Sequence, residues 1–254
     1  MTTSRNARIT DEHQRQYQTN GYFVLQRVIP EDHLRILREE CQTFIDIANA
    51  EMSSAGKDVM GVNRRNKRYV IGNRYGDSRR LSEFLFSELM SGICLATLGP
   101  EAFLFNEQYI VKCDEAGMKF PWHQDSAYIG HPHCRFVSCW CALDDVNEDN
   151  GTIYILPYSR APGRGLVERA NALDEIEADA YSGDDPGESV NVPAGSVAVF
   201  SSTCFHRSSA NPTNTMRRVY LAQYSPGIIM AKDGSKPWGL SEPFLHDGRA
   251  VRSG

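Results

Sequence analysis

Apolar residues between Pro30 and Ser53 recur at spacings of three and four, which is the period of an α-helix with one buried face. Pro30 suits the first turn of such a helix, and the acidic residues Glu31 and Asp32 favour its N-terminus. The apolar stripe consists of Leu34, Leu37, Cys41, Phe44, Ile45 and Ala48. We therefore predict a helix that packs on a core and ends in a loop at residues 53–58.

Two further helices are predicted, one on each side of this one. Residues 10–20 are polar and begin with a candidate capping threonine, and Gly21 is a suitable C-terminal stop. Residues 22–25 follow as a compact apolar strand. Residues 81–98 predict the last of the three helices, because a Gly-Pro pair directly behind them would end it.

From Phe103 onward the apolar positions fall into short runs separated by clusters of Gly, Pro, Asn and Asp, a pattern typical of β-strands. The predicted strands are residues 103–112, 134–143, 151–156, 189–193, 196–201, 203–208 and 216–224. Many short strands at this spacing favour a sandwich or barrel over β-α-β units. An acidic, alanine-rich stretch at residues 168–185 is predicted to be a surface insertion.

These elements predict a single domain with an α+β fold that is mainly β with flanking helices. The domain would span residues 1–254. Its parts would be a helical N-terminal region at about 1–100, a barrel at about 101–225 and a C-terminal tail at 226–254. An apolar share of 41% and a charged share of 23% are ordinary for a globular chain of 254 residues.

Charge and composition mainly exclude classes of partner. The 27 basic residues against 32 acidic ones argue against non-specific nucleic-acid binding, which usually needs a basic domain. No apolar run approaches the roughly 18 residues that a membrane span requires, so we expect neither a nucleic-acid nor a membrane partner. The 7 cysteines are odd in number and the first residues lack an apolar signal core, which favours reduced thiols and a cytoplasmic location.

Basic residues cluster between positions 64 and 80, with Asp77 as the single acid among them. The cluster consists of Arg64, Arg65, Lys67, Arg68, Arg74, Arg79 and Arg80. One interpretation is a solvated loop. The other is a flap that offers cations to an anionic ligand, which makes Arg64, Arg68 and Arg74 candidates to meet an anionic group on a substrate.

The stretch Phe120–Ser126 carries the most informative chemistry. On an extended backbone, side chains i and i+2 leave the same face, so His123 and Asp125 point together and supply two adjacent ligands for a divalent metal. His206 follows an apolar run in the strand-rich half and is the candidate third ligand. Two histidines and one carboxylate form the facial triad of non-haem Fe(II) oxygenases, which leaves metal positions open. A hydrogen-bonded polar pair is the alternative interpretation of His123 and Asp125.

Arg217 opens the last predicted strand. A guanidinium at the inner end of a barrel binds a carboxylate in a bidentate fork, as a dicarboxylate that chelates iron at its other end would require. Strand alternation lets only one of Arg217 and Arg218 face inward, and we choose Arg217. A surface strand edge is the alternative for both residues.

Other histidines and cysteines do not favour a zinc site. The group His131, His133 and Cys134 and the pair Cys139 and Cys141 match no standard zinc spacing. We interpret these cysteines as small apolar core residues.

The residues that support a family resemblance are His123-Gln124-Asp125, Trp140, Asn150-Gly151-Thr152, His206-Arg207-Ser208 and Arg217. In order and spacing they resemble the phytanoyl-CoA dioxygenase family of Fe(II)- and 2-oxoglutarate-dependent oxygenases, over roughly residues 10–225. The resemblance implies a double-stranded β-helix, which is a jelly-roll, cupin-like barrel with helices packed outside. It also implies Fe(II) as cofactor and 2-oxoglutarate and O2 as co-substrates.

The resemblance further implies a role for each matching residue. The iron ligands would be His123, Asp125 and His206. Arg217 would hold the distal carboxylate of 2-oxoglutarate, with Ser208 hydrogen-bonding beside it. Two more residues, Gln108 and Trp140, would line the co-substrate.

The resemblance also limits which reactions and substrates we expect. Residues 157–160 read Pro-Tyr-Ser-Arg where many relatives have Pro-Gly-Ser-His, which leaves any substrate contact there open. Asp125 retains the metal carboxylate that halogenating relatives lack, so halogenation is not expected. We expect an enzyme that hydroxylates an unactivated carbon of a small organic metabolite, in the biosynthesis of a natural product or modified amino acid. The alternatives are a CoA thioester substrate, desaturation, epoxidation or rearrangement on the same iron, and a non-catalytic jelly-roll binding protein.

Overall fold

A computed structural model of the chain describes residues 9–114, 119–165 and 180–252. The helices are α1 (Asp11–Asn20), α2 (Glu31–Ser54), α3 (Arg79–Leu85) and α4 (Glu88–Thr97). The strands are β1 (Tyr22–Leu25), β2 (Val59–Met60), β3 (Asn63–Arg64), β4 (Arg68–Gly72), β5 (Ala102–Lys112), β6 (Phe120–His123), β7 (Val137–Ala142), β8 (Ile153–Ile155), β9 (Glu188–Ser189), β10 (Val197–Ser201), β11 (His206–Ser208), β12 (Arg217–Ser225), β13 (Glu242–His246) and β14 (Arg249–Ala250). Two 3₁₀ turns span Asp125–Tyr128 and Glu148–Asn150.

The strands form two antiparallel sheets. The main sheet has the order β1-β10-β7-β12-β5-β4-β3-β2, with β13 added to β5 and β14 added to β13. The small sheet has the order β6-β11-β8-β9. The predicted fold class is therefore confirmed: the chain is mainly β with flanking helices, and its two facing sheets are those of a jelly roll.

Alternate residues of β12 pack into two different cores. Tyr224 faces the helices, where its hydroxyl donates to the backbone oxygen of Leu85 at 2.7 Å. Leu221 instead packs with Trp140 of β7 and Ile155 of β8 in the space between the two sheets. Because side chains alternate along a strand, β12 projects a second row between the sheets. We call this side of the main sheet the inner face, and on β12 it carries Arg217, Val219, Leu221 and Gln223.

The predicted apolar stripe on α2 is confirmed. All six of its residues are buried against the outer, helix-bearing side of the main sheet. The sheet and helix are also joined by a hydrogen bond from the Tyr109 hydroxyl to the backbone oxygen of Leu37 at 3.1 Å. The buried stripe continues to Met52, so the helix extends to Ser54 and the predicted exit loop starts later than residue 53.

The single helix predicted over residues 81–98 is wrong, because the chain breaks there into α3 and α4. Ser87 adopts an extended backbone and its side chain accepts a hydrogen bond from the Met90 amide, which makes it the N-cap of α4. In the sequence, a serine within an apolar helical pattern is interpreted as a polar residue that the helix tolerates. Here it begins a new helix.

The basic stretch is also not only a loop, since it contains the end of β3, the whole of β4 and the start of α3. On β4, Tyr69 and Ile71 are buried while their neighbours are less so, and the strand pairs with β5. The high charge of the stretch hides this short alternation. The tail at residues 226–254 likewise contributes β13, which buries Phe244 and Leu245 against β5.

The remaining predictions concern membrane spans, the cysteines and the surface insertion. Among the helices of the described residues, none is long and apolar enough to cross a membrane. All cysteines lie in the described ranges and each carries a free thiol. Most of the insertion predicted at residues 168–185 lies outside the described residues.

Candidate metal and co-substrate site

His123, Asp125 and His206 converge between the two sheets. His123 ends β6 and His206 begins β11, and the two are direct partners in the small sheet. Asp125 opens the 3₁₀ turn that follows β6. Its Oδ1 lies 3.8 Å from Nε2 of His123 and 3.5 Å from Nε2 of His206. All three residues are buried, and their three ligand atoms lie within 4.8 Å of one another.

The hydrogen bonds of the two imidazoles orient them towards a common point. His123 Nδ1 lies 2.8 Å from the backbone oxygen of Pro121, and His206 Nδ1 lies 3.1 Å from that of Cys204. A carbonyl oxygen only accepts, so each Nδ1 carries the proton and each Nε2 directs a lone pair into the space that it shares with Asp125 Oδ1. Two imidazole nitrogens and one carboxylate oxygen with an open side are the donor set that Fe(II) takes in facial-triad sites.

The second oxygen of Asp125 is held by two residues that the sequence analysis missed. Ser138 Oγ donates to Oδ2 at 2.6 Å, and Gln223 Nε2 donates to the same atom at 2.9 Å. Asn106 in turn donates from Nδ2 to Gln223 Oε1 at 2.8 Å. Strand alternation could have found Gln223, because it lies on the same face of β12 as Arg217. These contacts turn Oδ1 towards the two histidines.

The reason why His123 and Asp125 meet differs from the one predicted. The strand ends at His123, so the two residues do not share an extended backbone. The intervening Gln124 turns away and donates from Nε2 to the backbone oxygens of Thr203 at 2.7 Å and Gly165 at 2.9 Å. The turn, rather than the period of a strand, brings the carboxylate beside the imidazole.

Arg217 lies on the inner face and is 1% exposed. Its guanidinium donates from Nη2 to the backbone oxygen of Gly151 at 2.8 Å, and its central carbon lies 5.8 Å from the ring centroid of Trp140. Nε and Nη1 are buried without a hydrogen-bond partner in the described structure. Burial lowers the pKa of Arg217 to about 10. A buried guanidinium with two unused donors fits an anionic group of a ligand.

Arg218 points the other way. Its guanidinium forms an ion pair with Asp144 at 2.7 Å, and this partner raises the pKa of Arg218. The two adjacent arginines therefore have separate surroundings, one inside the fold and one at its surface.

Gln108 and Trp140 lie in one cross-strand row of the inner face. Both are direct partners of Leu221, one on each side of β12. Ser208 faces the same space from β11, and its hydroxyl accepts a hydrogen bond from Lys112 Nζ at 2.7 Å. The structure thus brings all four residues that the resemblance assigns to the co-substrate to the space between the sheets.

Arg64 and Arg68 continue a row of basic residues across the main sheet. Arg217 on β12 is the direct partner of Lys112 on β5, which is the direct partner of Arg68 on β4. Arg68 is in turn the partner of Arg64 on β3. Two of the three arginines predicted to meet an anionic substrate therefore lie in line with Arg217.

Arg74 is not part of this row. Its guanidinium lies 5.7 Å from the ring centroid of Phe44, on the helix side of the sheet, and pairs with Asp77 at 2.9 Å. The structure does not bring it together with the triad.

One other group of potential metal ligands occurs in the described residues, and it consists of Glu101, His246 and Asp247. None of its members is buried, in contrast to the triad. The histidines and cysteines at 131–134 are in neither group.

Comparison with known proteins gives one family and several relatives. The phytanoyl-CoA dioxygenase (PhyH) family matches residues 17–219. A probable alpha-ketoglutarate-dependent hypophosphite dioxygenase of Stutzerimonas stutzeri is 23% identical over an alignment of 263 positions, which covers 94% of this chain and 87% of that protein.

Solved structures agree in fold. The non-heme alpha ketoglutarate dependent carbocyclase SnoK from nogalamycin biosynthesis superposes with a TM-score of 0.71 at 18% identity, covering 94% of this chain and 95% of that one. EctD from S. alaskensis with 2-oxoglutarate and 5-hydroxyectoine gives a TM-score of 0.69 at 19% identity, covering 98% of this chain and 89% of that one.

Proposed function

The chain belongs to the phytanoyl-CoA dioxygenase family, and from that premise we propose that it oxidises a small, anionic metabolite. It is an Fe(II)- and 2-oxoglutarate-dependent oxygenase that also uses O2. One observation supports the proposal above all: a buried triad whose imidazole Nε2 atoms face one carboxylate oxygen shares the inner space with a buried arginine that has two unused donors.

His123, Asp125 and His206 would hold the iron. The Nδ1 hydrogen bonds fix both imidazoles in the tautomer that can bind a metal through Nε2. The bonds from Ser138 and Gln223 keep Asp125 from rotating. Three ligands leave room for the chelating end of 2-oxoglutarate and for O2.

Arg217 would bind the distal carboxylate of 2-oxoglutarate, with Ser208 beside it. Gln108 and Trp140 would line the co-substrate between Arg217 and the triad, since they lie on the same inner face. A carboxylate would accept hydrogen bonds from Nε and Nη1 of Arg217. Its negative charge would also offset the free energy that burial of the guanidinium costs.

When bound, iron supplies oxidising chemistry in which 2-oxoglutarate and O2 give succinate and CO2 and one oxygen atom enters the substrate. The residues of the chain orient the reactants and exclude water from between the sheets. The product we propose is the hydroxylated substrate.

The anionic character of the substrate is suggested by Arg64 and Arg68, which extend the basic row towards the edge of the sheet. Arg74 has no place in this proposal because it faces the helices. A relative that covers nearly the whole chain is named for hypophosphite, which is a small oxyanion. We therefore place small oxyanions and carboxylated metabolites first among substrates to test.

The experiment uses the purified protein with Fe(II) and 2-oxoglutarate, first without oxygen and then with it. We expect a weak visible charge-transfer band on anaerobic mixing and succinate release that a substrate from an oxyanion and carboxylate library stimulates. Arg217→Met should abolish both at moderate 2-oxoglutarate concentration, whereas its matched control Arg218→Met should retain them. If the wild-type protein shows neither the band nor succinate, the proposed activity is wrong.

His123→Ala separates this enzyme from a non-catalytic jelly-roll binding protein. An enzyme would lose turnover while it keeps its fold, as judged by circular dichroism and thermal denaturation. A triad with only a structural role would lose stability instead.

A further inference from the structure

We propose that Lys112 is a second cationic ligand of the distal carboxylate of 2-oxoglutarate, which would lie between the Lys112 ammonium and the Arg217 guanidinium. This inference rests on the proposed function, since it concerns the same co-substrate. Nothing in the family resemblance assigned a role to Lys112.

The placement of Lys112 comes from strand register. Lys112 ends β5 and is the direct partner of Arg217 on β12. Directly opposed residues of antiparallel strands project from the same side of a sheet, so both cations project from the inner face. Val111, the neighbour of Lys112, packs in the helix-side core instead, as alternation requires.

Burial makes this pair of cations unusual. Lys112 is 1% exposed, and so is Arg217. Lysine is among the residues least often fully buried, because its charge loses water that a protein must replace. Two adjacent buried cations also repel each other. A carboxylate between them would reduce this repulsion and would replace part of the hydration that the two cations lose on burial.

The hydrogen bonds of Lys112 point to the same place. Its ammonium donates to Ser208 Oγ at 2.7 Å and to the backbone oxygen of Ser209 at 2.8 Å, and it lies 4.9 Å from the ring centroid of Phe120. Because Ser208 Oγ accepts from Lys112, its own proton is available for a further acceptor. One carboxylate could therefore take bonds from Arg217, Ser208 and Lys112 together.

The backbone around Gly151 anchors both cations at one end of the inner space. Arg217 donates to the oxygen of Gly151, and a Cβ at Gly151 would lie 3.1 Å from the backbone oxygens of Ser209 and Ala210. The carbonyl that holds Arg217 and the carbonyl that holds Lys112 thus belong to neighbouring segments. This closeness supports one shared anion rather than two separate ones.

A purely structural role is the competing explanation, because the bonds to Ser208 and Ser209 also tie β5 to the small sheet. The two roles differ in what they do to ligands that lack the distal carboxylate. The test therefore compares 2-oxoglutarate with 2-oxopentanoate, which has the same chain length and the same chelating end. Dissociation constants are measured by calorimetry on protein loaded with Mn(II), without turnover.

We expect Lys112→Met to weaken 2-oxoglutarate binding by about tenfold or more and to change 2-oxopentanoate binding little, since a charge-assisted bond is lost. Lys112→Arg should restore a large part of the affinity. Lys67→Met, an exposed lysine whose ammonium bonds to the backbone of Asp114, is the matched control and should change neither constant. If the Met variant does not fold, Lys112→Gln keeps a hydrogen-bond donor without charge and should show the same selective loss.

Equal weakening of both oxo acids, or no weakening of either, would overturn the role of Lys112. The failure of the proposed function gives a different result. In that case the wild-type protein itself would bind neither acid in a metal-dependent manner, or would not prefer 2-oxoglutarate.

Discussion

Gln223 donates a hydrogen bond from Nε2 to Oδ2 of Asp125 at 2.9 Å and so occupies the carboxylate oxygen that does not face the two histidines. The two residues are 98 positions apart in the chain. This contact joins the centre of the main sheet to the proposed metal ligand, and it makes the rotation of Asp125 depend on a residue of β12.

Gln223→Met should weaken metal binding by about 10- to 100-fold, because the lost hydrogen bond frees Asp125 to rotate. Metal affinity is measured by titration with Co(II), whose visible spectrum reports its coordination. The chain offers Gln42→Met as a control, since that glutamine lies on the exposed side of α2 and bonds only to Asp46 in the described structure. An unchanged affinity in Gln223→Met would mean that Ser138 alone orients the carboxylate.

Asp125→Asn should remove most of the stabilisation that a divalent metal gives to the folded protein. Metal at about 100 times its dissociation constant is expected to add about 2.7 kcal/mol to the free energy of unfolding of the wild type. Thermal denaturation with Mn(II) and with a chelator measures this difference. The matched control is Glu101→Gln in the exposed group with His246 and Asp247. Loss of the metal effect in Glu101→Gln instead of Asp125→Asn would move the binding site to the surface.

Gly151→Ala should cost at least about 1 kcal/mol more stability than Gly99→Ala. Both glycines have a left-handed backbone, with φ of 92° and 96°, so both alanines are strained by roughly 1–2 kcal/mol. Only at Gly151 would the new Cβ also press on backbone oxygens at 3.1 Å, while nothing lies within 4 Å at Gly99. Urea denaturation of the two variants measures the difference in their free energies of unfolding. Equal losses of stability would show that the loop at 209–210 moves to make room for the new Cβ.

Glu107→Gln should make stability less dependent on pH. Burial raises the pKa of Glu107 above its ordinary value, although its carboxylate accepts hydrogen bonds from the Arg74 and Tyr75 amides. The pKa of this carboxyl is about 4.5 in the unfolded chain and higher in the folded protein. The free energy of unfolding therefore falls as pH rises from 4.5 through the raised pKa, because folding then buries a charge.

The glutamine keeps an acceptor for both amides and carries no charge. The difference in unfolding free energy between Glu107→Gln and the wild type should therefore move in favour of the variant across that pH window. The measurement is chemical denaturation at several pH values. A difference that stays constant with pH would show that Glu107 does not titrate on folding.

Much of the fold was predictable because the relevant patterns are long or repeated. The six-residue apolar stripe of α2 and the 11-residue strand β5 are long enough to be recognised even where a single residue departs from the pattern. The break at Ser87 and the strand β4 were missed, since one capping residue and one short alternation are weak signals within apolar and basic surroundings. Tertiary pairing with β5, which lies later in the chain, decides the conformation of β4.

The candidate site was predictable to a different extent. The histidines and Asp125 could be chosen because two histidines and one carboxylate suit a metal ion, and because Arg217 and the family resemblance favoured that interpretation over a polar pair. Gln223, Ser138 and Lys112 are common polar residues, and only register shows that they face the same space. The side on which a polar residue lies could be read from alternation, whereas its partner on another strand could not.

The position of β12 between β5 and β7 has a consequence for how the molecule is made. This strand fills the middle of the main sheet but is synthesised after most of the chain. Until it emerges from the ribosome, β5 and β7 have open edges, which are prone to wrong pairing. Asp125 also lacks Gln223 until then. A nascent chain that stops before residue 217 would therefore have the three proposed metal ligands but neither Arg217 nor Gln223, and its open strand edges would make it prone to aggregation.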